Sequence, residues 1–151
     1  MLSYTIFGMA ESVHFKSCFL ADRDGRQCGV SHLSRNSNTE CIPVRDCNDD
    51  MSKHLEGCHL GNSLNEYEVI LARAGIFRWQ SISLEQVLIC PLHRDLYGKY
   101  WRPVSTCQYP SHTGKAKALQ YGRHTRAINL EMATQILDIY GVTVSIGSRE
   151  Y

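Results

Sequence analysis

Two short Cys/His pairs in the middle of the sequence have the residue types and spacing of a metal site. They are segments 90–93 (Cys-Pro-Leu-His) and 107–112 (Cys-Gln-Tyr-Pro-Ser-His), or C-x2-H and C-x4-H separated by thirteen residues. Zn²⁺ takes four soft or borderline ligands in a tetrahedron, and a closely spaced pair supplies two of them from one turn. A proline within each pair restricts the chain around the ligands. The spacing therefore predicts one zinc ion bound by Cys90, His93, Cys107 and His112.

Four protein ligands leave no open coordination position, so the predicted ion is structural and not catalytic. Closing such a site contributes on the order of 10–16 kcal/mol of apparent binding free energy that is also folding free energy. The same residues allow a second interpretation, in which Cys90 is a small buried hydrophobe, His93 and His112 are surface or capping histidines, and Cys107 has no role in a site.

A second pool of ligand-type residues precedes these pairs. One arrangement combines Cys28-x3-His32 with His54-x3-Cys58, which predicts a possible second ion in the Cys28–His59 region. Other quartets can be drawn from the same pool, and a polar loop with partly buried thiols is the alternative. The pool contains Cys28, His32, Cys41, Cys47, His54, Cys58 and His59.

The length of 151 residues suits one domain, or an irregular N-terminal region over 1–62 followed by a zinc-binding unit over 63–151. Seven cysteines, an odd number, without a recognisable secretory signal indicate thiols or metal ligands and not a disulfide scaffold. We therefore expect an intracellular protein, nuclear or cytoplasmic. The sequence contains no apolar run long enough for a membrane span.

Capping signals place two helices before the second Cys/His pair. Ser63 begins a capping box and predicts a helix through Ala74. Ser83 begins another, which predicts a short helix over Leu84–Ile89 that delivers Cys90 and is ended by Pro91.

The end of the chain carries a further helix and a strand. Asn129 is the predicted cap of a helix over Leu130–Tyr140, with Gly141 as its stop. Alternating apolar residues over 142–146 predict a half-buried strand. Together these elements predict a small, irregular, zinc-stabilised α+β domain with two or three helices and short strands.

Charge is unevenly distributed along a chain whose net charge is only +1. Residues 94–126 carry seven basic side chains against one acidic side chain, whereas residues 1–93 are net acidic. Clustered Lys and Arg bind phosphates and release counterions, so the leading hypothesis is a nucleic-acid-binding protein, specifically a DNA-binding one, with a regulatory role in the nucleus. The candidate contacts are Arg94, Lys99, Arg102, Lys115, Lys117, Arg123 and Arg126.

The same basic block supports an alternative, a zinc-stabilised protein–protein adaptor. In that case the basic residues meet an acidic partner or the acidic first part of this chain. An enzyme is not predicted, because the sequence contains no Gly-rich phosphate loop, G-x-S-x-G elbow or H-E-x-x-H motif.

The Cys/His pairs, together with Trp101, the Gly-Lys that follows His112 and the segment 142–148 (Val-Thr-Val-Ser-Ile-Gly-Ser), resemble a Cys-x2-His…Cys-x4-His zinc-binding region of predicted animal proteins. The resemblance covers about residues 88–148. In that region the Gly-Ser turn is followed by further cysteines, whereas Arg149, Glu150 and Tyr151 follow here. The resemblance therefore implies a shortened version of the region.

Overall fold

The computed structural model describes residues 18–23, 25–35, 38–104, 107–111 and 126–150. These ranges contain four α-helices and two small antiparallel sheets, which confirms the predicted α+β class with one helix more than expected. The helices are α1 (Ser52–Gly57), α2 (Glu66–Arg73), α3 (Pro91–Tyr97) and α4 (Leu130–Tyr140). One sheet pairs β1 (Ile42–Pro43) with β2 (Leu88–Ile89), and the other pairs β3 (Arg126–Ala127) with β4 (Arg149–Glu150).

Helix α4 has the predicted bounds. The Asn129 side-chain oxygen accepts a hydrogen bond from the Met132 amide at 2.9 Å and so caps the first turn. Gly141 has φ 66°, the left-handed conformation that ends a helix. Ala133 and Ile136 face the core, so sequence periodicity and packing agree here.

Helix α2 begins two residues later than predicted. Its cap is Asn65, whose amide donates to the Glu68 carboxylate at 2.8 Å, and not Ser63. A capping box is present as predicted, but it begins two residues later in the sequence. The shift makes Glu66 the first helical residue, and its side chain is buried.

The prediction of a helix over Leu84–Ile89 was wrong. Leu84–Gln86 form a single 3-10 turn, and the chain then extends into β2. The helix follows Cys90, because Pro91 occupies the first turn of α3, where the missing amide proton costs no intrahelical hydrogen bond. Cys90 is therefore the residue that caps α3.

Strand β2 is the meeting point of two distant segments. It pairs antiparallel with β1 through Ile42 and Ile89. On its other side Cys18 forms an isolated parallel bridge with Leu88, and the Phe19 amide donates to the Leu88 carbonyl at 2.8 Å. The sequence also offers two short apolar runs, 3–7 and 17–21, as strands. The first lies outside the described residues, and the described part of the second contributes only this bridge.

The C-terminal segment also differs from prediction. Residues 142–146 form no strand, and pairing occurs further along, at Arg149–Glu150 against Arg126–Ala127. Val144 and Ile146 are nevertheless buried. The alternation of apolar residues predicts which side chains are buried, but it does not predict where the backbone pairs with another strand.

One hydrophobic core joins both parts of the chain. It includes Val44 and Leu55 from the first part and Ile70 and Ile136 from the second, all at most 2% exposed. In the described part of the chain, no helix combines the length and the apolar character needed to cross a bilayer.

Candidate metal centre

Three separate segments bring four metal-ligating side chains to one point. Cys18 comes from the turn that bridges β2, Cys28 from the irregular stretch 25–35, and Cys90 and His93 from the start of α3. One donor atom of each residue lies within 4.8 Å of the others. Three of the four side chains are buried and Cys28 is half-buried. This group is close enough to hold a metal ion.

The distances fit a tetrahedral ion. His93 Nδ1 lies 3.2 Å from the Cys90 sulfur, 3.5 Å from Cys28 and 3.6 Å from Cys18. Zn–S and Zn–N bonds of about 2.3 and 2.0–2.1 Å at the tetrahedral angle give an N–S edge of about 3.6 Å. One ring nitrogen therefore faces all three sulfurs at the separation that a shared Zn²⁺ ion requires.

Backbone amides support two of the sulfurs. The Cys90 amide donates to the Cys18 sulfur at 3.3 Å, and the His93 amide donates to the Cys90 sulfur at 3.4 Å. Both bonds favour negative charge on sulfur, the form that binds metals. The Leu92 amide also donates to the Gly29 carbonyl at 3.1 Å, which holds the residue after Cys28 against α3.

The three thiols oppose one another's ionisation. A hydrogen bond from the Cys18 thiol, together with the contacts to His93, lowers the pKa of Cys90 to about 3. The same pairing with Cys90, followed by burial, raises the pKa of Cys18. Burial and then the charge of Cys90 raise the pKa of Cys28 to about 11. A divalent cation is the group that would offset three thiolates at this point.

The structure places the two predicted Cys/His pairs differently. Cys90 and His93 belong to the four-donor group, whereas Cys107 is half-buried and is not a member of it. His112 lies outside the described residues. Cys18 was missed and Cys28 was assigned to a different quartet, because neither is spaced like a chelate partner of Cys90. Only the β2 bridge brings Cys18 to the site.

The second proposed quartet is divided between two places. Cys28 joins the group above, and His32 is exposed. The His54 Nε2 atom lies 3.7 Å from the Cys58 sulfur, and the buried Arg73 guanidinium donates to that sulfur at 3.8 Å. Burial, followed by the charge of Arg73, lowers the pKa of His54 to about 4. The described residues contain one group of three or more such donors, the one at Cys90.

Several of the basic residues pair with acids of this chain. Arg94 contacts the buried Glu66 at 2.8 Å, Lys99 contacts Asp49 at 3.1 Å, and Arg126 pairs with Glu150. Arg102 is exposed. The remaining candidates, Lys115, Lys117 and Arg123, lie outside the described residues.

The Glu66–Arg94 pair connects the four-donor group to the core. Arg94 follows His93 in α3, and its Nε and Nη2 atoms donate to the two Glu66 oxygens at 2.8 Å each. Glu66 also accepts from the Asp49 amide at 2.6 Å. This bidentate contact fixes the orientation of α3, and with it that of His93, relative to α2.

Comparison of the chain with protein-family models, with curated proteins and with solved structures gave no match.

Proposed function

We propose that this protein is a zinc-stabilised binding module whose ion is held by Cys18, Cys28, Cys90 and His93. The observation that carries the proposal is the set of three nitrogen–sulfur distances between 3.2 and 3.6 Å around one ring nitrogen. Three thiolates and an imidazole are ligands that favour Zn²⁺ over the harder Mg²⁺ and Ca²⁺. Four protein donors complete the tetrahedron, so the ion acts in folding and not in catalysis.

The ligand set can be tested by metal analysis of two matched cysteine variants. We expect about one zinc per wild-type chain, and a large loss of bound zinc in Cys28→Ser, because a hydroxyl is a poor substitute for a thiolate. Cys107→Ser is the control, since Cys107 is also half-buried but lies outside the four-donor group. The opposite pattern, with loss in Cys107→Ser alone, would return the site to Cys90, His93, Cys107 and His112.

We further propose nucleic acid as the partner, contacted by Arg102, Lys115, Lys117 and Arg123. They are the basic residues of the segment 94–126 that remain as candidates once the pairs of Arg94, Lys99 and Arg126 with acids are taken into account. The specific observation that favours the alternative, a protein adaptor, is that Arg94 and Lys99 meet Glu66 and Asp49 of the acidic first part of this chain. For Arg94 and Lys99, the partners of the positive charge are therefore acidic residues of the same chain.

Salt dependence separates the two partner classes. If the four residues each contact a phosphate, the affinity for duplex DNA falls with a log–log slope of about −3.6 as salt rises. The variant Lys115→Glu with Lys117→Glu is expected to lose binding in a fluorescence anisotropy titration at low salt. Arg35→Glu with Lys53→Glu is the control, because it changes the charge equally at exposed sites outside the basic segment. No binding of DNA or RNA by the wild type would favour the adaptor.

A further inference from the structure

A fifth thiol, Cys41, lies beside the metal centre without belonging to the four-donor group. The antiparallel register pairs Ile42 with Ile89, and if this register continues one position beyond the end of the ladder, Cys41 lies opposite Cys90. Cys90 continues β2 in an extended conformation, with φ −79° and ψ 159°.

The hydrogen-bond pattern identifies the kind of pair that these cysteines form. The Val44 amide donates to the Val87 carbonyl at 2.7 Å, which marks a hydrogen-bonded pair. Hydrogen-bonded and non-hydrogen-bonded pairs alternate in an antiparallel ladder, and Cys41–Cys90 is an odd number of positions further along. It is thus a non-hydrogen-bonded pair, which agrees with the Cys90 amide pointing away, to Cys18.

A non-hydrogen-bonded pair has the spacing that a disulfide needs. Its Cα atoms lie about 4.5 Å apart and its side chains point to the same face. This distance lies within the range of about 4.4–6.8 Å between the Cα atoms that disulfides join. We propose that Cys41 and Cys90 form a reversible disulfide under oxidation and that this disulfide opens the metal centre. The release of the ion rests on the proposed function, whereas the disulfide rests on the ladder alone.

Hydrogen peroxide supplies the oxidising equivalents. The Cys41 thiolate, once its proton is lost to solvent, attacks the O–O bond, which forms an S–O bond and releases hydroxide. The Cys90 thiolate then attacks the Cys41 sulfur, so that the S–S bond forms as the S–O bond breaks and a second hydroxide leaves. The two sulfurs lose two electrons in total and peroxide gains them. Cys90 no longer carries the negative charge with which it binds the ion, and a dithiol restores it.

The test treats zinc-loaded protein with hydrogen peroxide, follows zinc with a colorimetric chelator and maps disulfides by mass spectrometry. Each of the seven cysteines falls in a different tryptic peptide, so the partners can be assigned directly. We expect a peptide that joins Cys41 to Cys90, release of zinc, and recovery of both thiols and bound zinc after dithiothreitol and fresh zinc are added.

Cys41→Ser removes the partner without removing a proposed ligand. We expect it to keep one zinc before treatment and to lose the dithiol-reversible part of zinc release, whereas Cys107→Ser behaves like the wild type. Cys41→Ala repeats the measurement with an apolar replacement. A zinc-loaded wild type that forms no Cys41–Cys90 peptide, or that links Cys90 to another cysteine, overturns the inference and leaves the zinc proposal intact. If the purified wild-type protein contains no zinc, the proposed function is wrong. The peptide map of the same sample still shows whether Cys41 and Cys90 form a disulfide.

Discussion

Removal of the proposed zinc ion with EDTA is expected to unfold the protein. A closed zinc site of this type contributes on the order of 10–16 kcal/mol of apparent binding free energy at neutral pH, and a typical domain is stable by only about 5–15 kcal/mol. The loss of the ion also leaves three sulfurs and a ring nitrogen packed together, with the pKa values of Cys18 and Cys28 raised and no cation to offset the charge of Cys90. Circular dichroism during chelation measures the effect.

Hydrogen exchange would show which part of the structure loses its protection first when zinc is removed. The stretch 25–35 has no helix or strand, and it is tied to α3 by Cys28, by the Leu92–Gly29 hydrogen bond and by a Ser31–Asp95 contact. We expect the amides of Leu92 and Cys90 to lose protection at the lowest chelator concentration. Zinc restores the protection and magnesium does not, because magnesium prefers oxygen ligands. Unchanged spectra in zinc-free protein would show that the core is sufficient without the ion.

The sequence predicted well what depends on neighbouring residues. Helix α4 has the expected first and last residues, because Asn129 and Gly141 act on the turns next to them. Cys90 and His93, which the spacing associates, also lie together in the four-donor group, since an N-cap and the third residue of the helix that follows lie side by side. The position of the helix relative to Cys90 was predicted wrongly, because a proline such as Pro91 can end a preceding helix or begin a following one.

What the sequence could not provide is the pairing of distant segments. Cys18 reaches the metal centre because its segment bridges Leu88, seventy residues away along the chain. The apolar run around Cys18 predicts extended backbone but not its neighbour. The two-residue strands of both sheets are likewise too short to have a periodicity of their own, so only the folded chain brings the segments of Cys41 and Cys90 together.

Glu66 is a second case in which the sequence did not predict a contact between distant segments, and this contact affects stability. In the capping box predicted to begin at Ser63, Glu66 reaches back to the cap. Its carboxylate is instead 3% exposed and accepts hydrogen bonds from Nε and Nη2 of Arg94. Burial of a carboxylate is costly without a partner, and the bidentate guanidinium supplies one. The pKa of Arg94 is raised, chiefly by this hydrogen-bonded contact. The pair therefore links α2 to α3 and, through α3, to the metal centre.

Replacement of Glu66 by glutamine is expected to lower the free energy of unfolding by about 3 kcal/mol. Loss of one partner from a buried ion pair usually costs about 3–5 kcal/mol, and Asp49, 3.4 Å from Arg94, remains as a weaker partner. Urea unfolding of the zinc-loaded protein gives the value. The matched control is Glu85→Gln, which removes the charge that pairs with Arg45 on the surface, where both side chains are at least 60% exposed and solvent screens the interaction.

A double variant distinguishes the ion pair from simple packing. In Glu66→Leu with Arg94→Met, no charge is left buried without its partner, and the two apolar side chains can pack between α2 and α3. Replacement of both members of a buried pair by apolar residues is often neutral or stabilising. We therefore expect the double variant to be more stable than Glu66→Gln while it keeps one bound zinc, because Arg94 is not a ligand. Equal losses in Glu66→Gln and Glu85→Gln would mean that the Glu66–Arg94 contact contributes no more than an exposed pair, and that α3 is held to α2 by the metal centre and apolar packing alone.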